Sequence, residues 1–181
     1  MNAQFFKPCL DHIATHGWQS LKNDDLKPYY GAEAPHFLDK QDFLKSFVGF
    51  LDQETLDHLP PDLTNLTPKD RLFEVFMGRF EVAAPYKEGL CVIWNDETSS
   101  VAHLVSSAPL NLPLGLHTME TLLKAAGVMS SSAFSCLQVH GFGLLYLGMV
   151  RTWLTDTTPD QQKTMAKVDQ LLQSYGQYLL V

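Results

Sequence analysis

The sequence is poor in positive charge. Its 181 residues hold 13 Lys and Arg against 20 Asp and Glu, a net charge of −7. Such a balance disfavours non-specific attraction to phosphate backbones or anionic lipid. Cysteine is scarce as well. Cys9, Cys91 and Cys136 are odd in number and far apart, with no CxxC pair. Neither a disulfide framework nor a zinc site is expected from them. No apolar run reaches the ~18–20 residues that a membrane span requires. The nearest, Phe134 to Leu154, is interrupted by Gln138, His140 and Arg151. Met1 to Phe6 lacks the basic-then-apolar layout of a secretory signal. These absences lead us to expect a soluble, cytoplasmic protein.

The marks of catalysis are missing too. There is no P-loop and no dinucleotide fingerprint, and Gly141-Phe142-Gly143 follows a helical pattern, not a strand. The serines at 99–100, 106–107 and 130–132 lack a nucleophile-elbow setting. Asp96 and Glu97 read as a solvated helix face. His12 and His16 stand four apart, but no third metal ligand is suggested nearby. We expect no enzyme, no cofactor and no metal.

What the chain does have is helical periodicity. Nowhere do β-branched residues alternate over a run, whereas apolar residues recur at three- and four-residue spacing throughout. The expected fold is all-α, a helical bundle. A first helix over 5–16 closes at Gly17, and a short second one at Asn23 is confined by Pro28. Asp39 caps a third, carrying Phe43, Phe47 and Phe50. It stops before Pro60-Pro61, which we take as the boundary between regions 1–60 and 61–181. Thr67-Pro68-Lys69-Asp70 caps a helix with Phe73, Phe76 and Phe80 on its face. The next helix is expected from about Tyr86 through Val105, followed by a turn over Pro109 to Pro113. One more, His117 to Ala126, closes at Gly127. Two long segments then meet at Thr155 to Asp160. Thr158 is placed as N-cap, Pro159 as the first helical residue and Gln161 as the partner of a capping box, with a single helix expected from Pro159 to Leu180.

Several of these pieces form an ordered pattern. Leu10 to Trp18, followed by His36-Phe37-Leu38-Asp39-Lys40, resembles the helix-turn-helix region of TetR-type proteins. Arg71-Leu72-Phe73, Arg79-Phe80-Glu81 and Pro85-Tyr86-Lys87 look like the first core helices of a TetR-like ligand domain. More specifically, Trp153-Leu154-Thr155-Asp156-Thr157-Thr158-Pro159-Asp160, with Lys163-Thr164-Met165, is similar to the ubiquinone-biosynthesis accessory family (coenzyme Q protein nine), lipid-binding relatives of TetR regulators. The resemblance runs along nearly the whole chain.

The resemblance implies a TetR-like bundle with a degenerate helix-turn-helix headpiece over 1–60 and a ligand-binding and dimerisation domain over 61–181. It also implies a homodimer built from the last two helices. Gly141 and Gly148 would permit close approach, and Met165, Val168, Leu171 and Leu172 supply an apolar stripe. Leu144 and Arg151 complete the expected interface. An elongated apolar pocket for a lipid or isoprenoid is implied. Its candidate lining is Phe73, Phe76, Met77, Phe80, Trp94 and Leu104, then Met119, Leu123, Phe134 and Leu137, with Trp94, His117 and His140 as polar handles. The partner implied is a membrane-associated hydroxylase of ubiquinone biosynthesis, with peripheral membrane contact. It would be met by a patch of Trp153, Leu154, Asp156, Thr158, Pro159, Asp160 and Met165. The chain departs from the pattern at Met165, where the family commonly has an aromatic. Mitochondrial members also carry a further C-terminal amphipathic helix, which Gln177 to Val181 is too short to replace.

The alternative is a TetR-type transcriptional regulator that senses a small apolar ligand. Charge argues against it. Residues 1–58 hold five lysines, no arginine and nine acids, where a DNA-reading headpiece needs cations for phosphates and Arg for bases. The interval that should carry the recognition helix contains Pro28, Gly31 and Pro35. Were DNA bound, Lys22, Lys27 and Lys40 would be its phosphate contacts.

Overall fold

Several helix ends in this chain are set by single residues, as the computed structural model shows. It describes residues 3–29, 39–131 and 133–179, with the backbone alone for 3–4, 23, 27, 101–110 and 176–177. Among the described residues every regular element is helical and none is a strand. The all-α expectation holds. Helix α1 (Ala3–His16) ends at Gly17, whose φ of +87° suits the left-handed C′ position and whose N–H donates to the Ile13 carbonyl at 2.9 Å. After the single turn of α2 (Asn23–Leu26) comes α3 (Lys40–His58), opened by Asp39, whose Oδ1 accepts the Asp42 N–H at 2.8 Å. Of the interval that should carry a recognition helix, residues 30–38 lie outside the described residues. Helix α4 (Pro68–Ala83) starts from Thr67, whose Oγ1 accepts the Asp70 N–H at 3.2 Å and donates to the Asp70 carboxylate at 2.7 Å.

The middle of the chain departs from expectation. Where one helix was expected from Tyr86 to Val105, there are two: α5 (Lys87–Glu97) and α6 (Val101–Ala125). Thr98 Oγ1 donates to the Trp94 carbonyl at 2.7 Å and Ser99 Oγ to that of Asp96 at 2.8 Å. Ser99 thereby claims the Asp96 carbonyl with both its hydroxyl and its N–H, and α5 stops. The expected turn at Pro109 to Pro113 is instead interior to α6. Proline's fixed φ is helical, and the four-residue spacing puts both missing N–H groups on one face, so the helix bears them. Burial of Met119, Leu122 and Leu123 in its C-terminal half offsets the cost. The helix ends as a Schellman motif, with Val128 N donating to Leu123 O at 3.1 Å, Gly127 N to Lys124 O at 2.9 Å and Gly127 at φ +61°.

Two compact units emerge, each discontinuous in sequence. One comprises Met1–Phe50 with Ala83–Leu114, the other Leu51–Val82 with Gly115–Val181. This partition passes within α3, α4 and α6, and it differs from the 60/61 division read from the proline pair. In the first unit Phe6 packs against Phe43, Phe47 and Phe50 with ring centroids 4.9–5.9 Å apart, and Tyr86 stands edge-on to Phe47 at 5.2 Å. Helix α5 crosses α1 so closely that a Cβ at Gly89 would lie 2.6 Å from the Leu10 carbonyl oxygen. In the second unit Leu72, Phe76 and Phe80 of α4 are buried with Met119 and Leu122 of α6. Phe142, Met149 and Trp153 of α7 (Ser135–Thr155) and Val168 of α8 (Gln162–Leu171) belong to the same core.

Candidate functional site

The corner between α7 and α8 is built around one carboxylate. Asp156 is 4 % exposed. Its Oδ1 accepts from the Thr158 N–H at 2.9 Å and the Thr158 hydroxyl at 2.5 Å, and its Oδ2 from the Thr164 N–H and hydroxyl, both at 2.8 Å. Burial opposes its ionisation, yet these bonds from Thr158 and Thr164 outweigh it and hold the carboxyl well below the usual carboxylate range. The capping box expected of Thr158 and Gln161 is therefore absent. Asp160 and Gln161 take left-handed conformations, φ 56° and 54°, and regular α-helix begins only at Gln162. The Thr158 N–H, which a capping box would have directed to the Gln161 side chain, belongs to Asp156. The single helix expected to reach Leu180 is also divided, since α8 gives way to a π-helical turn at Leu172–Gly176.

Beneath the corner runs a ladder of rings. Trp153 stacks on Phe80 at 5.4 Å, Phe80 on Tyr146 at 5.7 Å, and Tyr146 lies 5.6 Å from Phe76. A polar centre adjoins it. Arg79 Nη1 pairs with Asp52 Oδ1 at 2.8 Å and donates to Thr55 Oγ1 at 3.3 Å, while the Thr118 hydroxyl donates to Asp52 Oδ2 at 3.2 Å. All four side chains are buried. Burial raises the Tyr146 phenol above its ordinary range against the lowering effect of the neighbouring Arg79, with which it shares a hydrogen bond. A charge pair so fully desolvated depends on complete pairing, since removing either member leaves a buried ion. It fixes how α3, α4 and α6 register in this unit.

Helix α7 carries three kinds of surface at once. Phe142, Met149 and Trp153 face inward, and Gly141 and Gly148 face the C-terminal segments, with a Cβ at each falling 2.7 Å from Leu179 and 3.6 Å from Leu171 respectively. Outward lie Leu137, Leu144 and Leu147, 57 %, 72 % and 50 % exposed, in line with exposed His140 and Arg151. No family model, curated protein or solved structure matches this chain.

Of the candidate lining residues, Phe76, Met77, Phe80, Met119 and Leu123 are buried in the second unit, with Phe73 and Phe134 half-buried there. Leu137 and His140 are on the outer face, not with them, and the His140 Nδ1 bonds its own helix at Cys136 O, 2.7 Å away. Trp94 is half-buried in the first unit, and the Leu104 side chain lies outside the described set. Of the interface residues, Leu144, Arg151 and Met165 are exposed, while Val168 and Leu172 are buried within their own chain. Of the partner patch, Pro159, Asp160 and Met165 reach the surface, Leu154 and Thr158 do so in part, and Trp153 and Asp156 are structural.

The first unit holds a feature that sequence reading missed. Asp96 and Glu97, taken for a solvated face, clamp the turn after α1. Asp96 Oδ2 accepts the Trp18 and Gln19 N–H groups at 2.9 and 3.1 Å, and Glu97 Oε1 accepts the Trp18 indole N–H at 2.8 Å. Lys40 completes the clamp, donating to the Trp18 and Gln19 carbonyls, both at 2.8 Å. Nothing local marks the carboxylate contacts, which join residues nearly 80 positions apart, or those of Lys40, which span 21 and 22. His12 and His16 stack at 4.1 Å, with Tyr29 Oη 3.1 Å from His12 Nδ1. Among the described residues no group of three or more His, Cys, Asp or Glu could hold a metal, and no helix is long and apolar enough to cross a membrane. Burial pushes the Cys9 thiol up to about 12, so it remains protonated and inert.

Proposed function

We propose that this chain is a dimeric carrier of an apolar lipid or isoprenoid, acting as an accessory protein in ubiquinone biosynthesis that presents the ligand to a partner enzyme. The observation that carries this reading is the double character of α7. Its inner face joins an aromatic interior with Phe76 and Phe80, and its outer face shows Leu137, Leu144 and Leu147 to solvent. Exposed leucines in line on one helix suit burial against a second copy. Long aromatic and Met side chains suit an apolar guest. The resemblance of Trp153 to Met165 to the ubiquinone accessory family supports this pathway, and Pro159, Asp160 and Met165 are the surface we assign to the partner. The regulator reading is weakened by Lys40, a phosphate contact on that view, whose ammonium is engaged by two carbonyls of its own chain.

The test is extraction of natively purified protein followed by mass spectrometry of the organic phase. A co-purifying isoprenoid or other long-chain lipid in near-stoichiometric amount is expected. Its absence from protein purified without detergent would overturn the carrier reading. A shift of promoter DNA at low salt, lost as salt rises, would favour the regulator instead.

A further inference from the structure

Gly141 stands at the border between the α8-facing flank of α7 and its exposed leucine arc. Leu137 and Leu144 lie one helical turn to either side of it. Yet its notch is filled, because Leu179 Cδ2 and Cδ1 come within 2.7 and 2.9 Å of where a Cβ would be. The backbone of that residue is tied as well. Gln138, fully buried, donates from Nε2 to the Leu179 and Val128 carbonyls, each at 2.9 Å, and accepts from the Ser130 N–H at 2.8 Å. Between Leu172, which is buried, and Leu179 the chain runs through the π-helical turn, and Gln173, Ser174, Tyr175 and Tyr178 are exposed. Exposed side chains between two anchored ends leave this segment few buried apolar contacts, a condition that favours local opening.

We propose that residues 172–179 are a releasable strap that competes with a second copy of this chain for the Gly141 end of the leucine arc. The proposal rests on the reading of α7 as a dimer face. With the strap docked, the arc offers Leu137, Leu144, Leu147 and Arg151, but the glycine notch between Leu137 and Leu144 is closed to any neighbour. With the strap released, the apolar surface extends from Leu147 back through Gly141 to Leu137, and the missing Cβ lets another helix approach. A second copy fits the vacated notch because the notch already accepts a leucine side chain, and the exposed arc of another copy presents leucines at helical spacing. Dimerisation and strap docking then oppose each other, and the strap sets the concentration at which the protein pairs.

The experiment compares the full-length wild type with Leu179→Ala and Leu144→Glu, reading hydrogen exchange over residues 172–178 and dimer dissociation by sedimentation equilibrium. Leu179→Ala is expected to speed strap exchange and lower the dimer Kd, each about tenfold. Leu144→Glu is expected to raise the Kd by at least about tenfold and leave strap exchange unchanged. Faster strap exchange in Leu179→Ala with a Kd within about twofold of wild type overturns the competition while leaving the dimer reading intact. Wild type and Leu179→Ala both monomeric at ~100 µM overturn the dimer reading, and the proposal with it. Strap amides that exchange no faster than the α7 core in the wild type overturn the strap itself.

Discussion

Two helix starts in this chain are spelled almost alike and are built differently. Thr67-Pro68-Lys69-Asp70 forms a local cap in which threonine and aspartate satisfy each other three residues apart. Thr158-Pro159-Asp160-Gln161 does not, because Asp156 lies two residues upstream, is buried, and draws in Thr158 and Thr164 together. Both starts have the threonine and the proline. They differ in the presence of a buried anion that competes for the same donors. A capping motif therefore predicts geometry only where no stronger acceptor stands nearby, and a buried carboxylate accepting four bonds is stronger than a hydroxyl.

The difference can be broken at either corner. The largest effect is expected from Asp156→Ala, which strands two backbone N–H groups and two hydroxyls in a buried corner. A loss of ~2–4 kcal/mol in urea unfolding is expected. A loss below that of the Thr67 variant would show the Asp156 bonds to be dispensable. Acid should remove the same stabilisation in the wild type. The Asp156 carboxyl is held below its unfolded range, so its contribution is fully present above the unfolded value of ~4 and is lost as pH falls through the folded one. The stability gap between wild type and Asp156→Ala should accordingly shrink steadily from pH 5 downward, measured as urea midpoints across that range. A gap that stays constant would mean the carboxylate is not the source. Thr67→Ala, at the local cap, should cost only ~1 kcal/mol. Gln161→Gly should act in the opposite sense and smallest of all. It relieves a left-handed φ and gains ~0.5 kcal/mol, seen as a small rise in Tm; a fall would show that the Gln161 side chain stabilises the corner.

Much of the fold was legible because it is local. Gly17, Asp39, Thr67 and Gly127 end or begin helices where their own side chains, or lack of one, determine the neighbouring backbone. Legibility failed where a distant or stronger partner entered. Pro109 and Pro113 spell a turn, but the apolar half-helix after them is buried and keeps the segment helical. Asp96 and Glu97 look solvated until Trp18 and Gln19 fold onto them. Gly141 and Gly148 read as sites of close approach, but the folded chain shows one such approach, by Leu179 of the same molecule at Gly141, with Leu171 at ordinary contact distance from Gly148. Val168 and Leu172 read as an interface stripe from spacing, and folding places them inside. Spacing identifies an apolar face without saying what covers it.

The central claim is that this chain pairs through α7 and carries an apolar guest. Native mass spectrometry of protein released gently from non-denaturing buffer tests both parts in one spectrum. The account predicts a dimer mass with an added lipid mass that is lost on collisional activation before the subunits part. A bare monomer, unchanged as protein concentration rises, would contradict it.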